Sequence, residues 1–445
     1  MVRPVPTPRP QPSALACLLL GVTLLASACG PAASSASPSA AGDATPVVTP
    51  IPTGAAPSAS STAPSAGPSI DAGAVYDKVE QQVAAIRGLQ PKRKVERQII
   101  GKDELRTMIT QQFDEETPPA YLAANGRLYK ALGLIPADAD LRDLSLDLLS
   151  GGVVGFYRND QGKLYVVSKT GAPGQNERFY FAHEYDHALQ DQNSTIFKDQ
   201  KGILDQGDRM LARQAVYEGD ATLLMTQWAA ANLQPTDMLA LLAASSDPEV
   251  QAVMARTPPI MRDTLTFPYT TGFGFVQAAQ ASGGWTAVND FFDRMPASTE
   301  QILHPEKYRA GEAPVTVSLP ADLATRLGSG WSVPLQDTFG EYQMGLWLRE
   351  SGVAATKATD AAAGWGGDRL AVMEGPGGAW AVAMQTVWDT AADAAEFEAA
   401  ATTALEKAGG VGQVVPGVGG KTRWVLIGRD AETVGHVANV LGLAG

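Results

Sequence analysis

The sequence predicts an α+β protein, with a mainly helical larger domain that carries a small hairpin and a smaller α+β domain after it. Apolar residues recur at helical spacing in residues 71–89 and in most segments up to about 295. Two β-rich runs, at 152–157 and 163–167, flank the turn sequence NDQG and predict the hairpin. From about residue 330, segments typical of helices and of strands alternate, which indicates the second domain.

The elements follow from these patterns in chain order. Ser298 is placed to cap a short helix that Pro305 ends. Mostly helical structure is predicted over 236–295, and the motif GWGGD at 364–368 is interpreted as turns and core. The other predicted helices are 71–89, 103–116, 118–134, 141–149, 177–192, 209–233, 335–350, 392–407 and 431–441, and the other predicted strands are 94–100, 370–374, 380–388 and 422–427.

The first 70 residues indicate that the protein is exported, and they are not expected to belong to a folded domain. A basic start and an apolar run too short to span a membrane are typical of a signal peptide over 1–28. Small residues before Cys29 resemble the lipobox of bacterial lipoproteins, so Cys29 is the predicted lipid attachment site; the alternative is an ordinary secretory signal. Residues 29–70 consist largely of Pro, Ala, Ser, Gly and Thr, which predicts a disordered tether. We therefore expect the protein to be anchored at the extracytoplasmic face of a bacterial membrane. Its folded domains are expected over 71–330 and 331–445.

Charge and cysteine content narrow the class of protein. The formal net charge of −13 argues against a nucleic-acid partner and against an anionic membrane surface as a partner of the folded body. Both cysteines lie in the signal segment, so the fold must depend on its hydrophobic core rather than on an intrachain disulfide. The oligomeric state is not indicated by the sequence.

The motif HEYDH at 183–187 carries the chemistry. Two histidines four residues apart on a helix lie on one face, so His183 and His187 can reach one ion. Glu184 lies beside them, where a carboxylate can take a proton from water. The spacing therefore predicts a catalytic zinc site.

Such a site needs a third protein ligand. The metzincin pattern is excluded, because Gln190 and Asn193 stand where it requires Gly and His. Glu218 is the best candidate and Asp220 is its rival. Gly219 lies between them inside a predicted helix, where glycine costs about 1 kcal/mol relative to alanine. A close approach of two helices across a shared metal would explain this glycine.

These residues resemble a known family. The run FAHEYDHALQDQ at 181–192, followed by Glu218, is similar to the gluzincin metallopeptidases, and most of all to a group of bacterial exported HExxH proteins. The likeness spans roughly 90–310 and includes the GFY run at 155–157 and the TEQILHP run at 299–305. It implies a zincin-like catalytic domain in which His183, His187 and Glu218 hold Zn²⁺.

The resemblance implies a membrane-anchored zinc peptidase that hydrolyses protein or peptide substrates, with zinc-activated water and Glu184 as general base. Residues 163–167 are expected to be an edge strand that holds the substrate extended, and the alternative is an ordinary hairpin packed on the core. The alternative is a non-enzymatic zinc-binding lipoprotein that acts in envelope assembly or protein binding. The presence of Glu184 favours the enzyme, since a pure binding site does not need it.

Further residues are assigned supporting roles. A histidine ligand usually donates its other ring N–H to a carboxylate or carbonyl, and Asp220, Asp191 and Asp186 are the candidates. His304 is hypothesised to stabilise the oxyanion opposite the zinc, with Tyr308 as the alternative donor and a structural role for His304 as the competing interpretation. His436 is interpreted as a structural or surface histidine.

Overall fold

A computed structural model describes residues 71–150, 155–168, 173–197, 203–244 and 247–443. The predicted signal segment, the tether and Cys29 lie outside these residues. The predicted α+β class is confirmed, because helices predominate and the strands form two separate small sheets. Within the described ranges, none of the helices combines the length and apolar character needed to cross a membrane.

Helices form most of the described residues between 71 and 310. A π-helical turn, Pro268–Gly272, joins two of them directly. The helices are α1 Ala72–Arg87, α2 Lys102–Glu116, α3 Pro119–Ala131, α4 Leu141–Ser150, α5 Gln175–Asn193, α6 Gly207–Asn232, α7 Pro235–Ala244, α8 Pro248–Arg256, α9 Pro259–Phe267, α10 Phe273–Asp293, α11 Thr299–Leu303, α12 Pro305–Ala310, α13 Leu323–Leu327, α14 Gly340–Glu350, α15 Ala355–Ala362, α16 Ala391–Ala404 and α17 Ala431–Val440.

The strands fall into two sheets, one on each side of residue 330. The first sheet has the order β1-β3-β2, with β1 parallel and β2 antiparallel to β3. The second is antiparallel, with the order β4-β5-β6-β8-β7. The strands are β1 Glu96–Ile100, β2 Gly155–Arg158, β3 Lys163–Val167, β4 Ser332–Asp337, β5 Trp365–Glu374, β6 Trp380–Trp388, β7 Val411–Pro416 and β8 Thr422–Gly428.

Two sequence-based expectations need correction. Strand β3 was expected at the edge of its sheet, but it lies in the centre, and β2 is the edge strand next to α5. The helix predicted over 335–350 begins only at Gly340, because residues 332–337 pair with β5 as strand β4. Both errors concern the pairing of a strand with another strand, which the local periodicity of the sequence does not indicate.

Helices α5 and α6 pack against each other in the interior of the larger part. Their side chains are buried on almost every face: residues 181–190 of α5 and 210–225 of α6 are all buried. A helix with no solvent face belongs to a core. Helix α1 packs on both, and α10 with its preceding turn covers α6 from another side. Polar residues on α5 and α6 are therefore withdrawn from water.

Candidate metal centre

Three predicted ligands meet where α5 and α6 face each other. His183 Nε2 lies 3.0 Å from His187 Nε2 and 3.1 Å from Glu218 Oε2, and His187 Nε2 lies 3.3 Å from the same oxygen. The imidazole rings are nearly perpendicular, at 88°, with centroids 4.7 Å apart. All three side chains are buried. The HExxH spacing and the α6 carboxylate thus converge on one point.

The donor set fits a tetrahedral zinc ion. Zinc binds histidine nitrogen and carboxylate oxygen at about 2.0–2.1 Å, so neighbouring ligand atoms should lie about 3.3–3.4 Å apart. The three observed separations are at or slightly below this spacing. One ligand oxygen at this point, Glu218 Oε1, has no hydrogen-bond partner among the described residues. Buried polar atoms rarely stay unpaired in proteins, so a bound cation suits these residues.

Electrostatics within the triad favour a charged Glu218. Burial alone would raise the pKa of Glu218, but the two imidazoles outweigh burial and lower the pKa to about 2. Burial alone would lower the pKa of His187, but Glu218, helped by Glu184, raises it to about 10. The ligand carboxylate is therefore ionised at neutral pH, which a metal ligand requires.

Glu184 lies beside the triad and is held by the neighbouring sheet. Its Oε2 accepts a hydrogen bond of 2.9 Å from the backbone N–H of Tyr157 in β2, whereas Oε1 has no partner among the described residues. Burial, with a smaller contribution from Glu218, raises the pKa of Glu184 against the opposing effect of the histidines. The result is a fixed carboxylate with one free oxygen and an increased proton affinity.

Asp220, the rival ligand, faces away from the triad. Both of its oxygens accept from the buried guanidinium of Arg87, at 2.9 Å each. Gln190 lies between this pair and the site: its Oε1 is 3.0 Å from His187 Nδ1, and its Nε2 is 3.1 Å from Asp220 Oδ2. Gln190 was missed by sequence reasoning, although its position three residues after His187 on one helix could have indicated it.

Tyr269 was also missed, and it lies next to His183. The ring centroids are 6.2 Å apart, and Tyr269 lies in the π-helical turn that packs on α6. Burial raises the pKa of Tyr269 well above its usual range, with further contributions from Glu218 and Glu184. The phenol therefore stays protonated and can donate a hydrogen bond in the site.

The other candidates have partners outside the triad. His304 Nε2 lies 2.8 Å from Glu341 of α14, and the Tyr308 hydroxyl donates to the Arg294 carbonyl. Asp191 accepts from Arg93 and from the hydroxyl of Tyr157.

His436 Nε2, on α17, lies 2.9 Å from the carbonyl oxygen of Leu327. Asp186 Oδ2 accepts from the Gln190 amide. None of the aspartates proposed as supports is therefore seen to contact a histidine ligand directly.

A second group of carboxylates holds a lysine. Glu300, Glu312 and Asp389 lie within reach of one centre, but Lys307 Nζ contacts them at 2.6, 2.9 and 2.6 Å. Although burial by itself lowers the pKa of Lys307, these carboxylates raise it above its usual range. The ammonium group already neutralises the cluster, which joins α12 to the segment after β6.

Comparisons with known proteins add little about the site. Residues 326–439 match a family described as a domain of unknown function, DUF8575. A search of curated proteins found no match. One solved structure, a candidate hydrolase with a novel fold from Chloroflexus aurantiacus, aligns with 54% of this chain and 88% of its own, at 15% identity and a TM-score of 0.35. The family match lies after the triad in the chain.

Proposed function

We propose that this chain is a zinc-dependent hydrolase that cleaves peptide bonds. One observation carries the proposal: three buried donor atoms converge at a spacing that suits zinc, and a carboxylate with one free oxygen lies beside them. His183, His187 and Glu218 would hold the ion, which leaves a fourth position open, as in catalytic zinc sites. A zinc ion held there supplies Lewis acidity, which polarises a carbonyl oxygen and makes water easier to deprotonate.

Glu184 is assigned the proton transfers. Its Oε1 is free to accept a proton from the attacking water and to deliver that proton to the amine that leaves. Its Oε2 is fixed by the Tyr157 N–H, so the carboxylate does not have to be oriented during the reaction. The raised pKa of Glu184 makes it a better base than an exposed glutamate.

A peptide substrate is supported by the edge of the first sheet. In an antiparallel strand each backbone N–H points either toward the paired strand or away from it. The Tyr157 N–H donates to Glu184 and not to β3, so it points to the unpaired edge of β2. An extended peptide that adds to this edge would pass the general base. The substrate strand is therefore proposed for β2 in place of β3.

The oxyanion donor is proposed to be Tyr269 in place of His304. Tyr269 lies beside His183, whereas His304 is bonded to Glu341. A neutral phenol in a buried site is a suitable donor to a developing negative charge. The tether, lipid attachment at Cys29 and an extracytoplasmic membrane location are part of the same proposal, and they are supported by the sequence alone.

A structural zinc site in a non-enzymatic lipoprotein is the second candidate. The burial of His183, Glu184, His187 and Glu218, each at most 1% exposed, favours it, because structural metal sites are closed to solvent. Both candidate functions include a bound zinc ion. They differ in whether Glu184 acts as a general base.

The test measures zinc content and peptide cleavage of the full-length chain. We expect one zinc per chain, with cleavage of a peptide library that a chelator abolishes. Glu184→Gln should keep its zinc and lose about 10²–10⁴-fold in turnover. Zinc without cleavage in the wild type would favour the structural site.

The third ligand is tested by a matched pair. Glu218→Ala should lose most of the zinc, since one of three protein ligands is gone. Asp220→Asn should lose far less zinc than Glu218→Ala, because Asp220 is engaged by Arg87 and would contact no ion directly. The reverse result would overturn the assignment of Glu218.

A further inference from the structure

We propose that Gln190 is a positioning residue that fixes the tautomer of His187, and that the buried Arg87 acts on the site through it. The inference rests on the proposed metal site and goes beyond it, because it concerns residues that touch no substrate. A ligand histidine whose second nitrogen is hydrogen-bonded keeps its ring oriented toward the ion. In most proteins a carboxylate or a carbonyl has this role; here the partner is a side-chain amide.

The orientation of the Gln190 amide is set by its surroundings. Its Nε2 lies 3.0 Å from Asp186 Oδ2, 3.0 Å from the Tyr217 carbonyl oxygen and 3.1 Å from Asp220 Oδ2. The Tyr217 carbonyl can only accept, and Asp220 Oδ2 is held as an acceptor by Arg87, so the amide nitrogen must face them. The reversed amide would place its oxygen against these acceptor oxygens and would lose the hydrogen bonds to them.

The tautomer of His187 follows from this orientation. Gln190 Oε1 can only accept, so the His187 Nδ1, 3.0 Å away, must carry a proton. A neutral His187 then has its lone pair on Nε2, the atom that faces His183 and Glu218. The amide therefore selects the tautomer that can bind a cation.

Arg87 completes the network from helix α1. Its guanidinium donates to both oxygens of Asp220 and lies 3.8 Å from Asp186 Oδ1. The side chain is fully buried and stacks on Trp285, with 4.6 Å to the ring centroid. A buried cation keeps the two carboxylates in place as acceptors for the Gln190 amide.

His183 provides an internal contrast. Its Nδ1 has no partner among the described residues, so no comparable restraint acts on that ring. The effect of the network on metal binding should therefore pass through His187.

The experiment compares Gln190→Met with Gln192→Met in the full-length chain. Gln192 is a matched control: it is buried on the same helix, and its Oε1 accepts from the backbone N–H groups of Lys92 and Arg93, away from the triad. Zinc affinity is measured by competition with a chromophoric chelator, and thermal unfolding is measured without metal. We expect Gln190→Met to weaken zinc binding by about 10–100-fold, and Gln192→Met to leave it near the wild-type value.

An NMR measurement distinguishes a positioning role of Gln190 from a general loss of stability in the Gln190→Met variant. The chain has only four histidines, so ¹⁵N-labelled imidazoles can be assigned in the zinc-loaded protein. We expect a slowly exchanging Nδ1–H on His187 in the wild type and in Gln192→Met, and its loss in Gln190→Met. Equal affinities for the two variants, or an unchanged His187 signal in Gln190→Met, would overturn the inference. A wild type that binds no zinc would instead refute the proposed function.

Discussion

Tyr269 is the side chain that we propose as oxyanion donor, and its hydroxyl is buried. Its ring lies beside His183, and the carboxylates of Glu218 and Glu184 help burial to keep the phenol protonated. A donor that is already in place needs no reorganisation when negative charge develops on the substrate oxygen.

Tyr269→Phe removes only the hydroxyl of this residue. Under the proposed peptidase activity, we expect turnover to fall about 10²–10³-fold, because one oxyanion donor is lost. Zinc content and melting temperature should stay near the wild type.

Tyr308→Phe is the matched control for this substitution. Its hydroxyl donates to the Arg294 carbonyl instead, so its loss should affect stability rather than turnover. Full turnover in Tyr269→Phe would exclude Tyr269 as the donor.

For single residues, the sequence predicted those site residues whose arrangement follows from their spacing along one helix. His183 and His187 are one turn apart on one helix, and that spacing alone places them on a common face with Glu184 beside them. Gln190 and Tyr269 escaped notice for different reasons. Gln190 is an ordinary helix residue whose partners come from α6, and Tyr269 lies some fifty residues after Glu218, in a turn that no pattern connects to the site.

Among the elements, α6 and the turn Pro268–Gly272 approach each other backbone to backbone near the site. A Cβ on Gly219 would lie 2.5 Å from the carbonyl oxygen of Gly272, and a Cβ on Gly272 would lie 2.3 Å from that of Ala215. These contacts are with backbone, so no side chain can move aside to relieve them. The glycines therefore set the distance at which the Tyr269 turn lies on the ligand helix.

Gly219→Ala should force the turn away from α6. We expect a lower melting temperature and reduced peptide turnover, because Tyr269 moves with the turn and Glu218 is adjacent to the new methyl group.

Gly274→Ala is the matched control at the start of α10. A Cβ at Gly274 meets nothing within 4 Å, so this change should stabilise the chain by about 1 kcal/mol or less. Equal melting temperatures for the two variants, measured by calorimetry, would contradict the packing argument.

Most helices and the strands β6 and β8 were predicted close to their observed bounds, whereas β7 was not predicted and β5 begins five residues before its predicted start. The glycine inside α6 was correctly interpreted as a close approach, but its neighbour is the π-helical turn rather than α5. Residues 335–337, the last three of β4, were predicted as the start of a helix, because their local pattern does not reveal their pairing with β5. The register of this pairing is also interrupted between Ser332 and Leu335. Pairing of this kind is decided by the partner strand.

For the whole molecule, the main question is how the two predicted domains depend on each other. The largest buried apolar cluster joins Leu128 and Leu132 from the helical part to Trp347, Trp365 and other residues of the C-terminal part. Polar contacts cross the same boundary, including an ion pair of 2.9 Å between Arg127 and Glu374. The boundary at residue 330 stays a prediction, but the core does not stop there.

A chain that ends at residue 330 tests this shared core. The deletion would expose the apolar side of α3 and the apolar residues just after it, including Leu128, Leu132 and Ile135. Each large apolar side chain that loses its cover costs about 1.5–3 kcal/mol, which is a substantial fraction of a domain's stability. We therefore expect residues 71–330 alone to unfold without a cooperative transition and to bind zinc poorly, as judged by calorimetry and metal content.

Co-expression with residues 331–445 is the control, because the second fragment supplies the missing surface of the core. The two fragments should copurify and recover stoichiometric zinc. The ligands all lie before residue 330, so any recovery of zinc must come from restored packing rather than from new ligands. If residues 71–330 instead bind zinc and unfold cooperatively on their own, the helical part is an independent domain, and the shared cluster is only an interface between two stable bodies.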